Sequence, residues 1–292
     1  MKFILTNSQD ATTSYYIERT LTNSDIKRID TDKFNQVSYG YMDENNTTDL
    51  IWNRRPFEHT ENSNQIIQSE NVESFYNEWG LFGWKNWINP PHINWTGSKK
   101  LIGLRLAAQC GLSTPKWLVT NRVQHAKNFI KELKNQVVIK PINHGYFKNS
   151  DNINLIYTNK LGSNYDISLV KNCPTLIQEE IKKNYDARII YLNGFTICIL
   201  LKSHLYNIDI RINEMKDVYY DIITPPDKIT EQFIRLMNTL QLRYSASDFV
   251  IDKSGKWYFL ENNPNGQWAW MDQPLNGALV NFFDSYLTKK QI

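Results

Sequence analysis

The sequence has few cysteines and no long apolar run. Its 3 cysteines, Cys110, Cys173 and Cys198, are far apart and form no CxxC pair, which argues against a disulfide framework or a zinc site. No segment approaches the roughly 18 apolar residues of a membrane-spanning helix, and the apolar run after Met1 is too short for a signal peptide. These absences predict a cytoplasmic protein with no membrane partner.

Excess charge of one sign is also absent. The 33 basic and 30 acidic residues give a net charge of +3, and no long run of one sign occurs. A nucleic-acid-binding protein usually carries a basic stripe, so we expect no nucleic-acid partner, although the Trp-rich segment 84–95 offers rings for stacking. Burial between domains is the alternative for these Trp residues, since each ring covers a large area.

Periodicity and turn signals predict alternating helices and strands, typical of an α/β chain. A strand at Phe3–Leu5 opens a separate α/β unit, and residues 81–97 form a Trp- and Pro-rich connection. The other predicted elements are helices at 57–79, from Ser98 to Gly111, 123–134 and 228–241, a loop and then a strand within 112–121, strands at 136–140 and 176–181, and hairpins around Asn193-Gly194 and Ser254-Gly255.

The second hairpin carries the most informative polar residues. If Ser254-Gly255 is a two-residue loop, Asp248 faces Glu261, and Asn263 lies on the same strand face as Glu261. Opposed carboxylates repel each other, and a divalent cation would remove that penalty. Carboxylate and amide oxygens without His or Cys suit Mg²⁺. The alternative is a solvated edge hairpin, but the ending Glu-Asn-Asn-Pro-Asn-Gly favours a metal site.

Two further segments have residues that suit a nucleotide. Lys140 ends a buried strand before Pro141 and could bind phosphate, although a lysine reaching from a strand end into water is the alternative. The extended segment Gln178–Ile181 could offer backbone groups to adenine, and Asp186 could hold a ribose hydroxyl. Asp186 and Arg188 share a strand face, where an ordinary ion pair is the alternative.

These motifs, in this order, resemble the ATP-grasp fold over roughly residues 90–275, and the ribosomal-protein glutamate ligases in particular. The motifs are Gln178-Glu-Glu-Ile, Asp186-x-Arg188, Asp209-x-Arg211-x-Asn213, Asp248 and Glu261-x-Asn263. The resemblance implies an α/β (α+β) chain with an N-terminal pre-ATP-grasp domain at 1–90, a central ATP-grasp subdomain at 91–175 and a C-terminal subdomain at 176–292.

The same resemblance implies a role for each matching residue. Lys100 and Lys140 would contact the phosphates of ATP. Gln178, Glu179, Glu180 and Ile181 would line the adenine site, and Asp186 would lie near the ribose. Asp248, Glu261 and Asn263 would bind Mg²⁺, while Arg188, Arg211 and Asn213 would lie at the site of acyl transfer.

The N-terminal part is similar to a narrower group. Leu50-Ile-Trp-Asn-Arg-Arg-Pro56, Trp87-Ile-Asn-Pro90 and Pro115-x-x-Leu-Val-Thr-Asn121 resemble segments of the maturases that build microviridins and other graspetides. The resemblance implies that ATP phosphorylates side-chain carboxylates of a ribosomal precursor peptide with a leader. A Ser, Thr or Lys side chain would then form a macrocyclic ester or amide. Arg54 and Arg55 could contact substrate or serve packing.

Other functions remain open at this point. A glutamate-ligase-like enzyme that adds a free amino acid to a protein or small acid would keep every nucleotide residue. A nucleotide-binding module without turnover is less compatible with Lys140, Arg211 and the residues predicted to bind metal. The sequence does not decide the oligomeric state, and a homodimer is one option.

Overall fold

The structure is a computed structural model that describes most of the chain. It covers residues 2–21, 25–33, 50–55, 70–71, 74–75, 78, 86–142, 146–149, 152–155, 158–161, 166–203 and 217–287. Arg211 and Asn213, together with His144-Gly145 and most of the helix expected at 57–79, lie outside the described residues. None of the described helices has the length and apolar character that crossing a bilayer requires.

The N-terminal part forms a parallel sheet. Strands β1 (Lys2–Thr6), β2 (Ile26–Asp30), β3 (Leu50–Asn53) and β4 (Trp87–Ile88) pair in the order β2-β1-β3-β4. Helix α1 (Ala11–Arg19) follows β1. Leu5, Ile51 and Trp87 form one apolar cluster, whereas Ile4, Trp52 and Ile88 belong to another, because alternate residues of a strand face opposite sides. The predicted strand at Phe3–Leu5 is confirmed.

Helix α1 begins at a buried carboxylate. The side chain of Asp10 accepts hydrogen bonds from Thr12 N and Thr13 N and from the hydroxyls of Thr6 and Thr13. Burial alone would raise the pKa of Asp10, but Arg54 and these hydrogen bonds outweigh it and lower the pKa to about 2. The folded protein therefore stabilises the charged form of Asp10.

This lowered pKa predicts a loss of stability in acid. Because the folded pKa lies below the unfolded value, the stabilisation is complete above about pH 4 and disappears as the pH falls to about 2; it amounts to about 2 kcal/mol at neutral pH. We expect the difference in unfolding free energy between wild type and Asp10→Asn to shrink over that window in denaturant titrations. A difference that stays constant down to pH 2 would show that the carboxylate charge is not what stabilises the fold.

The middle of the chain forms an antiparallel sheet. It contains β5 (Trp117–Thr120), β6 (Val137–Lys140), β9 (Asn159–Lys160) and β10 (Thr175–Glu179) in the order β5-β10-β6-β9. Between β6 and β9 lies the hairpin of β7 (Tyr146–Asn149) and β8 (Asn152–Leu155). Helix α4 (Val123–Glu132) packs its buried Ala126 and Ile130 on this sheet. The predicted helix and strands of this region are confirmed.

The C-terminal part forms a five-stranded antiparallel sheet. Strands β11 (Lys183–Leu192), β12 (Phe195–Ser203), β13 (Val218–Ile223), β14 (Tyr244–Asp252) and β15 (Trp257–Glu261) pair in the order β13-β12-β11-β14-β15. The predicted two-residue turn is confirmed, since Asn193 and Gly194 both have positive φ, at 46° and 99°, between β11 and β12.

The two faces of this sheet pack on different partners. Helices α3 (Lys100–Gln109) and α5 (Asp227–Thr239) cover one face, where Ala187, Ile189 and Phe249 are buried. Helices α6 (Ala269–Asp272) and α7 (Ala278–Leu287), together with the N-terminal sheet, cover the other face. Residues from both ends of the chain therefore share one core.

The loop of the second hairpin differs from the prediction. The backbone N–H of Asp252 bonds to the carbonyl of Lys256, so the loop has three residues and ends in Gly255 at φ 85°. The register shifts between Phe249, which pairs with Phe259, and Asp248, which pairs with Glu261. The predicted two-residue loop is wrong, but the predicted pair is confirmed, because the bulge compensates for the longer loop.

Residues 86–97, the described part of the connection predicted at 81–97, contain regular structure, which that prediction lacked. They form β4 and a short helix, α2 (Pro91–Gly97), and Pro90 precedes the helix with its rigid backbone, while Trp84 lies outside the described residues. Trp87 is buried in the N-terminal sheet, whereas Trp95 is 63% exposed. Burial, the alternative for these rings, therefore holds for Trp87 and fails for Trp95.

Candidate nucleotide and metal site

Asp248 is held from two sides. It lies directly opposite Arg188 on the neighbouring strand β11. Arg188 Nε and Nη2 donate to the two oxygens of Asp248 at 2.8 and 3.0 Å, and Asn263 Nδ2 donates to Asp248 Oδ2 at 3.0 Å. A bidentate guanidinium restricts the rotation of a carboxylate. Arg188 and Asn263 therefore fix the direction in which Asp248 presents its oxygens.

Arg188 is itself fixed by its surroundings. Its Nη1 donates to the carbonyl of Gln267 at 3.0 Å, and its guanidinium lies 5.6 Å from the ring centre of Trp270. Burial would lower the pKa of Arg188, but the charge and hydrogen bonds of Asp248 raise it above its ordinary value, so the side chain stays charged. The ion pair that the sequence offered between Asp186 and Arg188 is not observed. Arg188 bonds Asp248 instead, and Lys183 Nζ donates to both oxygens of Asp186 at 2.8 and 2.6 Å.

Lys100 joins the ends of two sheets. Its Nζ lies 3.3 Å from Glu261 Oε2 at the end of β15 and donates to the carbonyl of Pro141 at 2.9 Å. Pro141 follows Lys140, the last residue of β6. The structure therefore brings Lys100, Glu261 and the end of β6, where Lys140 lies, to one place, although these residues are far apart in sequence.

The segment Gln178–Ile181 leads from the central sheet towards the C-terminal sheet. Gln178 is buried, and the amides of Glu179 and Glu180 donate to the carbonyls of Lys116 and Gln136 at 2.8 and 2.9 Å. The carboxylate of Glu180 lies 3.0 Å from Lys160 Nζ. Within the described part of the chain, no acceptor bonds the backbone N–H of Ile181. In this segment, that N–H is therefore the one that could donate a hydrogen bond to an adenine base.

Comparisons of the whole structure agree on one architecture. The macrocyclase MdnC of Microcystis aeruginosa MRC, solved with its precursor peptide MdnA, superposes with a TM-score of 0.78 at 19% identity, covering 97% of this chain and 98% of that one. An ATP-grasp ligase associated with ribosomal peptides in Chryseobacterium gregarium, solved with ADP and a leader and core peptide, gives 0.80 at 18% identity, covering 96% and 95%. The chain has the ATP-grasp fold.

A third similar structure is the ATP-grasp ligase PsnB, solved with a minimal precursor, Mg and ADP. Its TM-score is 0.74 at 17% identity, with 97% of this chain and 96% of that chain covered. No protein-family model matches the chain, and no curated protein matches it. The predicted fold class is confirmed, and so is the structural resemblance to the graspetide maturases.

In this ATP-grasp fold, the three residues predicted to bind metal have ligand types that suit Mg²⁺. Asp248 and Glu261 are opposed across the ladder, and Asn263 is hydrogen-bonded to Asp248. Among the described residues, no group of three or more His, Cys, Asp or Glu side chains could hold a metal by itself. Two carboxylates and an amide oxygen leave coordination positions for phosphate oxygens, which is how Mg²⁺ is commonly held beside a nucleotide.

Several neighbours of the candidate site carried no signal in the sequence. The carbonyls of Gln267 and Pro141 act through the backbone, which no residue type reveals. Ser247 donates to Asn262 Oδ1 at 2.9 Å beneath the site, and both side chains are buried. Only the segment Glu-Asn-Asn-Pro-Asn-Gly, which contains Asn262, indicated that polar groups gather there.

Proposed function

We propose that this protein is an ATP-dependent carboxylate ligase that cyclises a ribosomal precursor peptide. The observation that carries the proposal is the meeting of Asp248, Glu261 and Asn263 with Lys100 at the ends of β15 and β6. This arrangement of two carboxylates, an amide and a lysine suits the phosphates of Mg·ATP. The peptide partner rests on the similar structures, which contain precursor, leader or core peptides.

The chemistry follows from the weakness of a carboxylate as an electrophile. Its oxygen attacks the γ-phosphorus of ATP and releases ADP, giving an acyl phosphate. A Ser or Thr hydroxyl or a Lys amine of the peptide then attacks the acyl carbon, phosphate leaves, and the nucleophile loses a proton. An ester or amide forms for each ATP consumed, and Mg²⁺ would neutralise charge on the phosphates.

The residues of the chain bind and orient the reactants. Lys100 and Lys140 bind phosphate oxygens, and Ile181 offers its amide to adenine while Asp186 holds the ribose. Arg188 orients Asp248. Each terminal nitrogen of Arg188 also has a second hydrogen, with which it can meet a substrate carboxylate. In this proposal, Arg211 and Asn213 contribute to acyl transfer. The enzyme acts in the cytoplasm, where ATP is available.

Incubation with a precursor peptide tests the proposed function. The experiment needs a peptide encoded by a short reading frame beside the gene, one rich in Thr and Glu, supplied with ATP and Mg²⁺. We expect mass losses in steps of one water, each matched by one ADP. Removing the leader should lower kcat/KM by about 10²- to 10⁴-fold, because a bound leader raises the local concentration of the core.

The control supplies the leader and the leaderless core as separate peptides. It tests whether the leader acts because it is covalently joined to the core. Free amino acids joined to an acceptor, with no loss of water from the peptide, would instead identify the simpler ligase. Equal rates with and without the leader would remove the leader from the proposal.

A further inference from the structure

Arg54 is buried beneath the candidate metal site. It belongs to the Trp-Asn-Arg-Arg segment, whose arginines could serve either substrate contact or packing. The side chain of Arg54 is 1% exposed, so contact with a peptide in solution is excluded, whereas Arg55 is exposed. Of the two roles that the sequence left open for Arg54, packing is therefore the correct one. Its contacts show which groups it packs against.

Arg54 connects the N-terminal sheet to the residue that ends a tight turn. Its Nη1 donates to the carbonyl of Gly266 at 3.0 Å and lies 3.3 Å from the hydroxyl of Tyr244. Its Nε lies 3.6 Å from Asp10 Oδ2. The hydroxyl of Tyr244 donates to the same Gly266 carbonyl at 2.7 Å. The position of Gly266 is thus set by two donors, one of them anchored to Asp10.

The turn held in this way begins with Asn263. The amide of Gly266 donates to the carbonyl of Asn263 at 2.9 Å, and the amide of Ala246 donates to the same carbonyl at 3.0 Å. A Cβ on Gly266 would come within 2.5 Å of the Ala246 side chain, so the turn lies directly on β14. Because Asn263 bonds Asp248, a shift of this turn would move the amide group away from the carboxylate.

Two asparagines hold the residues between these ends. Asn89 Nδ2 lies 3.4 Å from the carbonyl of Pro264, and Asn94 Nδ2 donates to Asn265 Oδ1 at 2.9 Å. Asn89 and Asn94 are both buried. Side chains from residues 54–94 therefore hold three consecutive residues of the turn, Pro264 to Gly266.

We propose that Arg54, supported by Asn89 and Asn94, is a positioning residue for Asn263, one of the residues proposed to bind Mg²⁺. The proposal rests on the function proposed above. A buried guanidinium is costly, and Nε and Nη2 of Arg54 have no hydrogen-bond partner. An apolar side chain would fill this space at lower cost but could not hold the carbonyl of Gly266. The arginine therefore gives the turn one position, and the amide group of Asn263 moves with the turn.

The test measures how Mg²⁺ affects nucleotide binding in the purified protein. Titration calorimetry with ADP at increasing Mg²⁺ concentrations compares wild type with Arg54→Met, Arg54→Lys and Arg28→Met. Arg28 is the matched control, because it is a partly buried arginine of the same sheet whose bonds go to Asp30, Ser14 and Asn7. All measurements are made below the unfolding temperature of every variant.

We expect Arg54→Met to raise the Mg²⁺ concentration for half-maximal enhancement of ADP binding by about 10- to 100-fold, the usual effect of losing support for a metal ligand. Affinity for ADP without Mg²⁺ should stay within about twofold of wild type. Arg54→Lys should restore part of the Mg²⁺ response, whereas Arg28→Met should lower the unfolding temperature and leave that response unchanged.

The outcomes separate the two proposals. If wild-type protein binds no ADP in the presence of Mg²⁺, the proposed function fails. If wild type responds to Mg²⁺ and Arg54→Met responds equally, the positioning role fails and Arg54 serves packing alone. If Arg54→Met does not fold, Asn94→Ala replaces it in the test. This smaller change removes the hydrogen bonds of Asn94 to Asn53 and Asn265. An unchanged Mg²⁺ response in Asn94→Ala would overturn the proposal.

Discussion

Glu261→Gln is expected to abolish measurable ligation while leaving the fold intact. The substitution keeps the size of the side chain and removes the negative charge that faces Asp248 across the ladder. A metal ion contributes several kcal/mol to phosphoryl transfer, so losing a charged ligand should lower kcat at least about 100-fold. The side chain of Glu261 is 29% exposed, and its ion pair with Lys100 is worth at most about 1 kcal/mol of stability.

The measurement compares ADP release and thermal unfolding for wild type, Glu261→Gln and a control, Glu231→Gln. Glu231 lies exposed on α5, away from the site, and its substitution should change neither quantity. Near-normal turnover in Glu261→Gln would show that this hairpin is the solvated edge considered from the sequence and that the metal lies elsewhere.

Arg188→Lys is expected to lower kcat by about 10- to 100-fold, although it keeps the positive charge. A lysine ammonium is a point charge, and it cannot bond both oxygens of Asp248 and the carbonyl of Gln267 in the planar geometry of the guanidinium. Asp248 would then rotate, which weakens Mg²⁺ binding as other losses around a metal ligand do. The Mg²⁺ concentration for half-maximal activity should rise together with the loss of kcat.

Arg243→Lys is the matched control for this change. Arg243 precedes β14 and donates to Asn193, Asn86 and the carbonyl of Trp87, so it has a comparable number of polar contacts away from the site. We expect a similar loss of stability by denaturant unfolding with a normal Mg²⁺ response. If both variants keep normal kcat, Arg188 does not orient a catalytic group.

The two hairpins show how far local sequence signals reach. Asn193-Gly194 was predicted as a two-residue turn and is one, because both residues tolerate positive φ. Ser254-Gly255 carries a similar signal, yet its loop is one residue longer and a bulge follows at Leu260. The facing of Asp248 and Glu261 survived because the bulge restored the pairing, and such a bulge depends on packing that local residue preferences do not describe.

The sequence by itself predicted helices α3, α4 and α5, strands β1, β5, β6 and β10 and the two hairpins, because turn preferences and apolar periodicity are local properties, whereas it predicted neither α1, α2 nor β2. The ATP-grasp fold followed from the order of the polar motifs, through their resemblance to a known family. Only the tertiary structure decided the partners: Arg188 bonds Asp248 rather than Asp186, Lys100 joins Glu261 to the end of β6, and Arg54 is buried. These contacts join residues far apart in the chain. Their geometry arises only when the sheets pack together. A side chain can reach several charged or polar groups, and it bonds the group that burial and strand register place opposite it.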